Sequence, residues 1–85
     1  MNLLDTAEAV RDLLRARAPL ARDRSDLPDG LPLGPGGLGL DSIALVELLL
    51  DCERRFGIPR PVDLLEGPPL TVGLLVSHVR AATGT

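Results

Sequence analysis

Ser42 is the residue of this chain whose setting best suits chemistry. It lies in Gly39-Leu40-Asp41-Ser42-Ile43, where a glycine-rich stretch meets an apolar-periodic segment. Asp41 is placed to cap a helix, which puts Ser42 on the first turn with its hydroxyl at a rim that a partner enzyme can reach. A phosphate joined there would sit near unpaired N–H groups at the positive end of the helix dipole. Asp41 opposes it by charge repulsion, so electrostatics alone leave open whether Ser42 is modified or is an ordinary first-turn serine. Cys52 falls on the apolar stripe of the same helix and reads as an inert buried thiol. His78, the single histidine, stands beside the core position Val79 and reads as a surface residue. One histidine with scattered acids makes no metal site. A hydrolase triad of Ser42, His78 and an acid can be written on paper. Residues 40–44, however, lack the glycines of a nucleophile elbow, and the chain is far too short for that fold. No catalytic residue and no metal ligand is assigned.

The elements that must hold Ser42 are helical. Residues 3–18 carry Leu3, Ala7, Val10 and Leu14 at spacings of three and four, with Asn2 as a cap and Pro19 closing the end. From about 19 to 40, prolines and glycines exclude a continuous helix. Leu27, Leu31 and Leu33 are spaced to pin this long connection onto the core. Residues 42–56 form the clearest helix: Leu45, Leu48, Leu49, Cys52 and Phe56 draw one apolar face, and Gly57 sits where a left-handed terminal residue belongs. Ile43, Val46 and Leu50 lie off that face beside Glu47, Asp51 and Arg54. They read either as a docking face or as the edge of a wide core stripe. A short helical piece at about 62–66 follows Pro59 and Pro61. Thr71 caps a last helix at about 72–82, with Val72, Leu75, Val76 and Val79 inward and a fraying tail from Thr83 to Thr85. The expected fold is all-α: a single domain over 1–85, a four-helix bundle with a long first loop and a short third helix.

Composition narrows the role further. Eighty-five residues allow one modest core, which favours a binding or carrying role over a self-sufficient enzyme. Phe56 is the only aromatic residue, so the core must be aliphatic. The formal charge is −3 and no basic stripe with aromatics occurs, which excludes a nucleic-acid partner. All nine basic residues are arginines, a feature read as codon bias. The acids at 41–56, namely Asp41, Glu47, Asp51 and Glu53, mark either a partner surface or a solvated face. One cysteine rules out an internal disulfide and is compatible with a reducing cytoplasm. No signal peptide or membrane span is visible, so a soluble, cytoplasmic monomer is expected.

The segments Leu38-Gly39-Leu40-Asp41-Ser42-Ile43, Val46-Glu47-Leu48, Phe56-Gly57-Ile58 and Leu70-Thr71-Val72-Gly73 together resemble the acyl carrier protein family. The resemblance runs through most of 38–79, with the first helix agreeing in pattern only. It implies that Ser42 is the attachment serine, with Asp41 as motif residue and helix cap. The group attached would be 4'-phosphopantetheine, joined as a phosphodiester by a phosphopantetheinyl transferase that uses coenzyme A and magnesium. The thiol of that arm would hold acyl groups as thioesters. An acyl-loading enzyme (an acyltransferase or a ligase) and a ketosynthase or other downstream synthase would be the further partners. The resemblance also implies a docking role for the second helix, here Ile43, Val46, Glu47, Leu50, Glu53 and Arg54.

This chain departs from the family's fatty acid carriers. Ala44, Arg54 and Arg55 stand where acids are frequent, which weakens attraction to basic partners and can exclude wrong ones. Leu40 stands where peptidyl carriers commonly have a glycine. Val62–Pro69 is atypical of the third helix. The resulting expectation is a discrete carrier of polyketide or hybrid natural-product biosynthesis, to which the start at Met1 also points. The alternatives are an aminoacyl or peptidyl carrier, and an unmodified interaction module with the carrier fold.

Overall fold

The computed structural model describes residues 6–59 and 62–84. Its frame is three α-helices: α1 (Thr6–Arg17), α2 (Ser42–Phe56) and α3 (Val72–Thr83). The described residues contain no strand, only an isolated bridge between Pro32 and Thr71. The short piece expected near 62–66 winds as a 3-10 helix over Val62–Leu65, so three α-helices are present where four helices were expected. Gly67, Pro68 and Pro69 follow at once and leave no room for a full α-turn. Another 3-10 helix, Pro19–Ala21, is the first of the two in chain order and lies within what the sequence reads as loop. Asn2, Leu3 and Pro61 lie outside the described residues.

Side-chain caps set where α2 and α3 begin. The Asp41 carboxylate accepts the Ala44 N–H at 2.8 Å, and the Thr71 hydroxyl accepts that of Leu74 at 3.2 Å. Gly57, at φ 65°, closes α2 by donating its N–H to the Glu53 carbonyl. At the tail, Thr85 lies outside the described residues. Thr83 remains helical, its hydroxyl donating to the Val79 carbonyl at 2.8 Å, and Gly84 at φ 79° closes the helix.

The core is aliphatic. Val10 and Leu14 of α1, Leu48, Leu49 and Cys52 of α2, and Leu75 and Val79 of α3 are fully buried. Leu45 and Phe56 are half-buried against them. Much of the remaining core comes from the long connection: Leu27, Leu33, Leu38 and Leu40 are buried, and Leu31 is half-buried. A loop of this length stays ordered because its leucines leave water and its backbone finds partners on α3.

Those partners are the otherwise unpaired donors of the α3 terminus. The Leu31 carbonyl accepts the Val72 N–H at 3.0 Å and the Asp29 carbonyl accepts the Gly73 N–H at 2.8 Å. Leu33 in turn donates to the Leu70 carbonyl at 2.9 Å. Arg11 ties α1 into the same region. Its Nε donates to the Leu27 carbonyl at 2.9 Å and its Nη2 to Asp29 Oδ1 at 2.7 Å. Two glycines permit the close packing. A Cβ on Gly37 would fall 2.0 Å from the Pro32 carbonyl oxygen, and one on Gly73 would fall 2.9 Å from the Asp29 Cβ.

Candidate functional site

The connection delivers the chain to Ser42 through a left-handed turn. Gly39 sits at φ 71°, a conformation that costs other residues about 1 kcal/mol or more. Leu40 then buries its side chain, and its N–H donates to the Leu33 carbonyl at 2.9 Å. This anchors the backbone immediately before the helix. Asp41 makes the cap, which leaves the adjoining Ser42 as first residue of α2, exposed to solvent. The hydroxyl is therefore presented on a fixed helical end and is not needed to start the helix.

Exposed aliphatic side chains follow it on α2. Ile43 is 70% exposed and Val46 40% exposed, whereas Leu50, grouped with them on sequence grounds, is half-buried. The acids nearby are engaged within the chain. Arg17, the last residue of α1, reaches Glu47 Oε2 at 3.5 Å, and its Nη2 donates to Asp51 Oδ1 at 3.0 Å. Its Nε also bonds the other oxygen of the same carboxylate. The Asp51 side chain is only 14% exposed. A paired guanidinium is what makes such burial of a charge tolerable. Hydrogen bonding and charge from Asp51 hold the Arg17 guanidinium above its ordinary pKa. Arg54 is exposed and its Nη1 stands 3.8 Å from Asp51 Oδ1, while Glu53 is half-buried.

Sequence reasoning did not find the Arg17 contacts, nor Leu20, which is 61% exposed on the first 3-10 helix. Arg17 and Asp51 lie far apart in the chain, and an exposed leucine after a proline has no pattern of its own. His78 is half-buried rather than fully at the surface. Cys52 is buried, and loss of solvent, aided by the nearby Asp51 charge, pushes its thiol up to about 12. A thiol so held is protonated at neutral pH and is no nucleophile. Among the described residues no three His, Cys, Asp or Glu side chains gather as a metal site. No described helix is long and apolar enough to cross a membrane.

Beside α2, an open cavity of about 280 Å³ lies between the long connection and the second 3-10 helix. Leu45, Leu64, Leu65 and Leu70 line it together with Pro32 and Pro68. Such walls favour an aliphatic occupant over a charged one.

The described residues thus set an exposed serine at the capped start of a helix in a three-helix frame. A family model described as phosphopantetheine attachment site matches residues 7–79, and the chain belongs to that family. Its cofactor is covalently bound 4'-phosphopantetheine. Domains of this family are generally non-catalytic carriers that meet phosphopantetheinyl transferases and the acyltransferases and synthases that use the arm. No curated protein and no solved structure matches the chain significantly.

Proposed function

We propose that Ser42 takes the phosphopantetheine arm and that the chain, itself without catalytic activity, holds acyl intermediates for enzymes of polyketide or hybrid natural-product biosynthesis. The observation that carries the reading is the division of labour at the α2 terminus. Asp41 caps the helix, and the neighbouring Ser42 hydroxyl stays exposed on a rigid end. The first-turn N–H groups of Ser42 and Ile43 have no acceptor within the helix and favour a phosphodiester at this position. The bound arm supplies a thiol that carries an acyl group as a thioester. The chain's own part is to present the hydroxyl to the transferase and afterwards to offer the leucine- and proline-lined cavity to aliphatic cargo.

The pathway assignment rests on charge. Arg54 and Arg55 close α2, and Arg17 engages both Glu47 and Asp51. Such a helix attracts basic fatty acid synthase partners weakly. The test is incubation of the protein and its Ser42→Ala variant with coenzyme A, magnesium and a promiscuous phosphopantetheinyl transferase, read by intact mass. One phosphopantetheine gained by the wild type alone is expected. No gain by folded protein with several active transferases would point instead to an unmodified interaction module. The holo protein is then offered to loading enzymes of both kinds of pathway. Acceptance by fatty acid synthase partners alone would overturn the polyketide reading.

A further inference from the structure

Arg17 stands at the end of α1, yet its whole guanidinium is committed to α2. Its Nε and Nη2 bond the two oxygens of the Asp51 carboxylate, the latter at 3.0 Å, and its Nη1 reaches Glu47 Oε2 at 3.5 Å. Glu47 and Asp51 are neighbours at helical spacing, so one planar fork spans both. The two carboxylates are not equivalent. That of Asp51 is mostly covered and anchors the fork, whereas the Glu47 side chain is 53% exposed and that of Arg17 42% exposed. A contact buried on every side would speak for folding alone. This one stays open to a second protein.

Glu47 lies within reach of an enzyme that works on Ser42. It follows the serine by about 8 Å along α2, and even across a helix about 10 Å wide the two are within about 13 Å. A contact of about 800 Å² per partner is a disc of about 16 Å radius, wide enough to take in Glu47 when centred on the hydroxyl. An enzyme that offers lysine or arginine there finds the carboxylate already facing a guanidinium. It must displace Arg17 or set a second cation beside the first, and like charges at that spacing repel. Displacement is opposed by Asp51, which holds the fork by two bonds.

We propose that Arg17, held by Asp51, screens Glu47 and so sets which transferases modify Ser42: enzymes that dock with lysine and arginine are disfavoured, and those with an uncharged rim are not. The inference rests on the reading of Ser42 as attachment site, and it adds Arg17 of α1 as a specificity-determining residue. Direct competition tests it. Wild type and Arg17→Gln are mixed in equal amounts with limiting coenzyme A, magnesium and a phosphopantetheinyl transferase whose active-site rim is rich in lysine and arginine. The ratio of modified products, read by intact mass, gives the ratio of their kcat/KM values. Arg17→Gln is expected to be preferred by about three- to fivefold at about 0.05 M salt, the effect of one exposed ion pair, and to lose that preference at about 0.5 M. A transferase with an uncharged rim should modify both alike. Arg24, on the long connection, is exposed without an ion pair among the described residues. Arg24→Gln removes the same charge and should stay within about 1.5-fold of wild type. Loss of Arg17 also strips a partner from the mostly buried Asp51. The comparison is therefore repeated in an Asp51→Asn background, where the same gain is expected with no carboxylate left buried and unpaired. No gain in either background, an equal gain with Arg24→Gln, or the same gain with both transferases overturns the screening role while leaving Ser42 as attachment site. A wild type that gains no mass with either enzyme overturns both.

Discussion

Cys52 gives this chain an unusual pH response, because the sequence has neither lysine nor tyrosine. Burial, with a smaller contribution from Asp51, raises the thiol from 9.0 to about 12 in the folded protein. The folded state then keeps a proton that the unfolded state releases. Stability from this group is complete below about pH 9 and declines as pH rises towards 12. The expected slope is about −1.4 kcal/mol per pH unit in that window. Urea midpoints at neutral and alkaline pH check it: wild type should lose stability above pH 9, and Cys52→Ala should lose much less. Cys52 was legible as a buried thiol because it falls on the α2 stripe, and the exposed positions of Ser42 and Ile43 were legible from the helix register. Asp51 was not. The sequence places it on the solvated side of α2, whereas Arg17 from another helix covers it and allows its side chain to be mostly buried.

Among the elements, α2 could be read end to end because its signals are local: Asp41 caps it and Gly57 takes the left-handed turn that ends it. The long connection was legible only in part. Its leucines announced that it would pack, but its hydrogen bonds to α3 join residues about forty apart and leave no periodic trace. Glycine chemistry tests this packing. Gly37→Ala sets a methyl group against the Pro32 carbonyl oxygen, and that backbone atom can move only by disturbing the turn whose Leu38 N–H it accepts at 2.9 Å. A loss of about 2 kcal/mol or more is expected. At Gly30 a Cβ meets nothing within 4 Å, and Gly30→Ala should leave stability unchanged within about 0.5 kcal/mol. Thermal melts of the two variants beside wild type decide it, and equal losses would refute this account of the loop.

For the whole molecule, Arg11 is the side chain that joins α1, the connection and, through Asp29, the start of α3. Arg11→Ala removes the donor from the Leu27 carbonyl and is expected to cost about 1–3 kcal/mol. The Gly73 amide should exchange with solvent faster in that variant, even though residue 73 is untouched. Unchanged exchange at Gly73 would show that Arg11 acts on α1 alone. The strap between the connection and α3 also constrains how the chain can be recombined. Residues 27–40 and 70–73 are distant in sequence yet form one block, since the carbonyls of Asp29 and Leu31 finish the helix that begins at Val72. A chimera that exchanges α3 while keeping the native connection must preserve the bare backbone at position 73. A crossover just after Asp41 separates Ser42 from the residue that caps its helix. Swaps that move both segments together, with Asp41 and Ser42 from one parent, are the ones that should return a folded and modifiable protein.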